Sequence, residues 1–149
     1  MLLNEIFNIQ AIKLNLEGTT KEAVFTELAD TISAVYPECD QTILLTALWE
    51  RENKLSTGIA SGIAIPHAIY RGIDNVAGAI GISKSGIEYG ALDNKPVHVV
   101  FMLAMGEQAH ENHVRVLNQI FALVQTEALT LMKNAASAQD VYALLSKFH

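Results

Sequence analysis

The sequence predicts an α/β sandwich built by a single domain, residues 1–149, with a mixed β-sheet and helices packed on both of its faces. Three observations lead there. Apolar residues recur at helical spacing before Arg51 and again after Glu111, whereas Val76 to Ile82 and Val97 to Ala104 are continuous apolar runs of strand length bounded by turn-forming residues. The order of helices, then strands, then helices places the helices on the faces of the sheet. The 149 residues are 50% hydrophobic and 17% charged, which is enough for one core that needs no outside support.

Leu3 to Ile9 is expected to form a short helix, and Ala11 to Leu16, which alternates, a first strand ended by Glu17-Gly18. Thr19-Thr20-Lys21-Glu22 has capping-box spacing, and Ala23, Val24, Leu28, Ile32 and Val35 then follow at helical intervals until Pro37 stops the run. Asp40 can cap a second helix, with Ile43, Leu44, Ala47 and Leu48 as its apolar stripe and Arg51 at its C-terminal end. Ile63-Ala64-Ile65 reads as a strand, because Pro66 drives the residue before it towards extended geometry. Ser83-Lys84-Ser85-Gly86 and Asp93-Asn94-Lys95-Pro96 read as turns around the later strands. From Glu111 the helical period returns with Val114, Leu117, Ile120, Phe121 and Val124. A short helix from Glu127 and a last one capped by Ser137, with Asp140 three residues on, close the chain.

The formal charge of −6 argues against a binder of nucleic-acid backbone, which needs a basic face. The single cysteine, Cys39, lies in the turn-like Tyr36-Pro37-Glu38-Cys39-Asp40 and has no second cysteine for a disulfide or redox pair, which suits a reducing cytoplasm. MLLNEIFNIQ at the start lacks the basic and long apolar regions of a signal peptide. The most apolar stretch, Val97 to Met105, is about half the roughly 20 residues of a membrane helix.

Chemistry concentrates in Thr57-Gly58-Ile59-Ala60-Ser61-Gly62-Ile63-Ala64-Ile65-Pro66-His67, an apolar, glycine-bearing stretch that ends on an imidazole. Pro66 fixes the direction in which His67 leaves the strand, and Gly58 and Gly62 allow a turn whose N–H groups can converge on an anion. Taken alone, a single histidine at a strand end is more often a hydrogen-bonded structural residue. The familiar alternatives lack their spacing: there is no P-loop, no dinucleotide fingerprint and no nucleophile elbow, and Ser61 has no nucleophile context. His110 and His113 are three apart where a zincin helix needs four, so a metal-binding module stands only as an alternative.

Arg51-Glu52 followed by Thr57 to Ala68 closely resembles the phosphorylation-site signature of enzyme IIA of the bacterial phosphoenolpyruvate-dependent phosphotransferase system, in its fructose, mannitol and nitrogen-regulatory family. The resemblance continues through Asp93-Asn94-Lys95-Pro96-Val97 and His113-Val114-Arg115-Val116-Leu117, so it covers nearly the whole chain. Ala60 departs from it, since many members carry a third glycine there. The resemblance implies a cytoplasmic phosphoryl carrier without cofactor. His67 would accept phosphate from the phosphorylated histidine-containing phosphocarrier protein and pass it to an enzyme IIB, or serve as a regulatory switch on a target protein. Arg51 would hold the phosphoryl group, His113 would donate to it or orient His67, and Thr57 would add a hydroxyl or stabilise the turn. His98, His110 and His149 match no active position and read as structural or surface residues. A docking rim of Ile59, Ile63 and Ile69 is expected around His67, with the membrane channel and enzyme IIB on separate chains; a purely protein-binding regulatory module is the further alternative.

Overall fold

The computed structural model describes residues 2–108 and 110–147, apart from the side chains of Ala60 and His110. A five-stranded mixed sheet lies at its centre. Strand β1 (Phe7–Lys13) runs parallel to β4 (Val76–Ile87), and β4 pairs antiparallel with β5 (Val97–Gly106). The far edge of β5 receives two short parallel strands, β2 (Ile63–Ala64) and β3 (His67–Tyr70). These two act as one strand interrupted at Ile65-Pro66. Ile63 stands opposite Val99 and His67 opposite Leu103, so the register runs through the proline without slipping. Pro66 has no N–H to give, but its carbonyl accepts from Leu103 N at 2.9 Å and keeps the edge attached.

Both faces of the sheet are covered, which is why β5 is apolar at nearly every position. Val97, Val100, Met102 and Ala104 face α2 (Lys21–Val35) and α3 (Gln41–Glu52) through Phe25, Leu28, Ile32, Leu44 and Leu48. Val99, Phe101, Leu103 and Met105 face the opposite layer of α1 (Leu3–Ile6), α4 (His110–Val124), α5 (Ala128–Lys133) and α6 (Ala138–Leu145). Phe7 meets Phe101 edge-on there, with ring centres 5.9 Å apart.

The caps follow the sequence closely. Asp40 accepts from Ile43 N at 3.0 Å and Ser137 from Asp140 N at 3.2 Å. The first long helix is capped by Thr20, which accepts from Ala23 N, one residue later than the capping-box spacing places it.

Other expectations change. The N-terminal helix stops at Ile6 instead of reaching Ile9, and the strand begins at Phe7 instead of Ala11, because Phe7 is already in register with Gly78 of β4. Ser83 to Gly86 is no reversal: β4 runs through it to Ile87 with a shift in register, Ser83 Oγ accepting from Gly86 N and Gly86 adopting φ 95°. Ile43, Val114 and Phe121 face outward, and the stripe of α4 turned to the core is Val116, Ile120 and Leu123. Asp93-Asn94 does form a turn, in which Lys95 N donates to Asp93 Oδ1 and Asn94 takes φ 60°.

Candidate functional site

The segment that delivers His67 is a tight hairpin leaning on β5. Ile59 N donates to Ile63 O at 2.9 Å and Ile65 N to Thr57 O at 3.0 Å, while Ser61 and Gly62 turn the chain with φ of 67° and 78°. Gly58 is required by space: a Cβ there would lie 2.7 Å from the Tyr89 ring and 2.9 Å from Ala91 Cα. The N–H groups of Gly58, Ile59 and Ile65 donate to Ser56 Oγ, Ile63 O and Thr57 O, so these three build the hairpin.

His67 opens β3 and is half-buried. Its Nδ1 lies 2.7 Å from Ile65 O, and a carbonyl only accepts, so Nδ1 carries the proton and Nε2 the lone pair. Burial holds its pKa below the ordinary histidine value; the hydrogen bond to Ile65 opposes this, and the nearby positive charge of Arg51 acts with burial. The ring is therefore neutral, and nucleophilic, at neutral pH.

Around it lies a cleft of about 570 Å³. Arg51 and Lys54 enter from the end of α3, Ile69 from β3, and His113 and Val114 from α4. Helix α3, the sheet edge and α4 thus bring Arg51, His67 and His113 to one place from three separate parts of the chain. Arg51 Nη1 donates to Leu55 O at 2.9 Å, and the guanidinium forms no ion pair among the described residues. His113, buried at 8% exposure, donates Nε2–H to Gly106 O at 2.8 Å, at the end of the strand that pairs with β3.

Thr57 is not in that cleft. Its Oγ1 lies 2.7 Å from Glu52 Oε1 and 2.6 Å from the Tyr89 hydroxyl, and the side chain is buried beneath the hairpin. Of the two roles considered for it, the geometry favours the stabiliser of the turn. The sequence by itself assigns no role to Glu52 or Tyr89. Glu52 lies in the signature beside Arg51, but its partners, 31 residues before it (Lys21) and 37 after it (Tyr89), have no local signal. Ile63, expected on a docking rim, is only 2% exposed because it is a core residue of β2. Ile69 is 57% exposed, Val114 joins it at 53%, and Ile59 packs partly against the core.

The remaining candidates lie elsewhere. His98 gives Nδ1–H to Ser83 O at 2.9 Å, away from the cleft. The side chain of His110 and the whole of His149 lie outside the described residues. Among the described residues no group of three His, Cys, Asp or Glu is placed to hold a metal ion. The Cys39 thiol is buried, and burial pushes its pKa up to about 11, which leaves it without nucleophilic character. No helix among the described residues is long and apolar enough to cross a membrane.

Residues 5–148 match the family described as the phosphoenolpyruvate-dependent sugar phosphotransferase system, EIIA 2. The fructose-specific EIIABC component of Bacillus subtilis is 36% identical over 140 residues, which are 94% of this chain and 22% of that protein. The chain therefore spans about a fifth of the length of that relative. The nitrogen regulatory protein of Pseudomonas aeruginosa is 30% identical, across 89% of this chain and 86% of its own length. Among solved structures, the nitrogen regulatory protein IIA-Ntr from Neisseria meningitidis superposes with a TM-score of 0.87 at 27% identity, covering 95% of this chain and 97% of that one. The Escherichia coli complex of the mannitol enzyme IIA with phosphorylated enzyme IIB shares the fold, with a TM-score of 0.74 at 18% identity over 95% of this chain and 99% of that one.

Proposed function

The chain belongs to the EIIA 2 family of the phosphoenolpyruvate-dependent sugar phosphotransferase system, and we propose that it is a phosphoryl carrier of the cytoplasm whose acceptor atom is Nε2 of His67. The observation that carries this is the hydrogen bond of Nδ1 to Ile65 O: it leaves Nε2 with the lone pair, on a ring that shares its cleft with Arg51 and His113. The donor is a phosphohistidine on the phosphocarrier protein. Nε2 attacks phosphorus, a new N–P bond forms as the donor's N–P bond breaks, and the electron pair of that bond returns to the donor ring. Little covalent work falls to the protein beyond alignment and charge stabilisation. Arg51 supplies charge-assisted N–H donors to the equatorial oxygens. His113, held to Gly106 O, stands in the same cleft and lines the space that the phosphoryl group would occupy.

In the second half-reaction a cysteine thiolate of an enzyme IIB attacks the phosphoryl group, and the neutral His67 ring leaves. Exposed Ile69 and Val114 beside the ring form an apolar rim on which the successive partners dock in turn, small enough for each to be released. The same site supports a regulatory reading, favoured by the fit to IIA-Ntr: about two negative charges added at this rim change its affinity for a target protein.

The test is intact-mass measurement after incubation with phosphoenolpyruvate, enzyme I and the phosphocarrier. One acid-labile phosphoryl group on the wild type and none on His67→Ala is the expected result. An unmodified wild type, with another enzyme IIA labelled alongside, would refute the proposal. Addition of an enzyme IIB then separates the readings, since a sugar-uptake component loses its label to it and a switch retains it.

A further inference from the structure

Beneath the hairpin lies a polar cluster that takes no part in the chemistry just described. The Glu52 carboxylate is 2% exposed, and its neighbours converge on it from three separate parts of the chain. Thr57 N donates to Oε2 at 2.7 Å, Thr57 Oγ1 and the Tyr89 hydroxyl each lie 2.7 Å from Oε1, and Lys21 Nζ lies 3.5 Å away. Lys21 is also held over the Tyr89 ring, 4.4 Å from its centre. A buried carboxylate with this many donors is fixed in place, and it fixes what it binds.

What it binds leads to His67 in two steps. Thr57 N is held by Glu52; Thr57 O accepts from Ile65 N at 3.0 Å; and Ile65 O accepts from His67 Nδ1 at 2.7 Å. The carbonyl that selects the tautomer of the acceptor ring is therefore hung on the segment that Glu52 anchors. Glu52 is also the last residue of α3, next to Arg51, so one residue ties the arginine's helix end to the acceptor's hairpin.

We propose that Glu52, braced by Tyr89 and Lys21, is a positioning residue for phosphoryl transfer: through Thr57 and Ile65 it holds His67 in the tautomer that presents Nε2. The inference rests on the reading of His67 as the acceptor. It reaches further by assigning the orientation of the ring to a buried carboxylate that never touches the phosphoryl group.

Glu52→Gln tests it, because the amide can still accept one hydroxyl proton but its NH₂ brings a donor to the Thr57 N–H or the hydroxyls and ends the ion pair with Lys21. Two readouts are made on variants shown to be folded by circular dichroism. In histidine-¹⁵N NMR of the unphosphorylated protein, wild-type His67 is expected to be protonated at Nδ1 alone, and the variant to show a mixture of both tautomers. In timed phosphoryl uptake, the rate at saturating phosphocarrier is expected to fall about 10- to 100-fold, with KM for the carrier within about twofold of wild type. If Glu52→Gln does not fold, Tyr89→Phe, which removes one hydroxyl, decides by the same readouts. A folded variant that keeps the single Nδ1–H tautomer, or one whose loss lies wholly in KM, overturns the proposal. The NMR measurement needs no phosphoryl transfer, so a wild type that takes up no phosphate sinks the carrier reading while the tautomer still decides the role of Glu52.

Discussion

Replacing Arg51 by Gln removes a positive charge from the cleft while keeping a polar side chain of similar reach. In the unphosphorylated protein the guanidinium makes one hydrogen bond, to Leu55 O, and no ion pair among the described residues, so its other N–H donors are open to an arriving anion. A hydrogen bond to a charged group is worth about 1.5–3 kcal/mol, which is about 10- to 150-fold in rate if it is made in the transition state. Arg51 is only half-buried, and solvent weakens charge interactions there, so the lower end applies, about tenfold. The assay is quenched-flow uptake from the phosphorylated phosphocarrier, read by intact mass at saturating donor. Arg51 also helps to keep the His67 pKa low, so the variant's His67 should titrate at higher pH in the same NMR experiment that reports its tautomer. A rate unchanged within about twofold, together with an unchanged titration, would show that the guanidinium does not face the acceptor in solution.

Three other outcomes follow from the same geometry. Because burial lowers the pKa of His67, the folded protein binds a proton there less readily than the unfolded chain; uptake should stay level as pH falls to about 6.5 and decline only below it, and this group's contribution to stability is lost over that acid window. A midpoint of His67 titration above the ordinary histidine value would contradict this. Gly58→Ala places a methyl group 2.8 Å from Ala91 Cβ and 2.9 Å from its Cα, where backbone must yield. Overpacking of that kind costs about 1–3 kcal/mol and should lower Tm by about 3–10 °C in a calorimetric scan, whereas an unchanged Tm would show that the hairpin lifts freely off Tyr89. Ile69→Asp alters an exposed residue of the rim, so Tm should hold while KM for the phosphocarrier rises about tenfold; an unmoved KM would remove Ile69 from the docking surface.

Helices and caps were legible wherever they depend on neighbours a few residues away. Asp40 and Ser137 cap as their spacing requires, Pro37 ends α2's run, and the signature from Arg51 to His67 singles out the residue proposed as acceptor. Local chemistry was also enough to place the turn at Asp93-Asn94. Where partners are distant in sequence, local pattern does not decide the structure. Phe7 belongs to a strand because Gly78 lies opposite it, and Ser83 to Gly86 stay within β4, as a local irregularity, because the strand continues past them to Ile87. Val114 and Phe121 fit a helical period as well as Val116 and Leu123 do, and only the position of the sheet decides which pair is buried.

The candidate site divides in the same way. Sequence alone determined that His67, Arg51 and His113 are residues to watch, since a nucleophilic imidazole, a guanidinium and a second imidazole are recognisable by type and motif. Tertiary structure alone decided that they share a cleft, that Nε2 is the free nitrogen of His67, that Thr57 turns inward and that Ile63 belongs to the core. Each of these is set by contacts between elements. Residue type and spacing constrain the backbone over one or two turns, while the tautomer of a ring, or the side of a loop that faces water, depends on groups such as Ile65 O, Glu52 and Tyr89 that meet only after the sheet has formed.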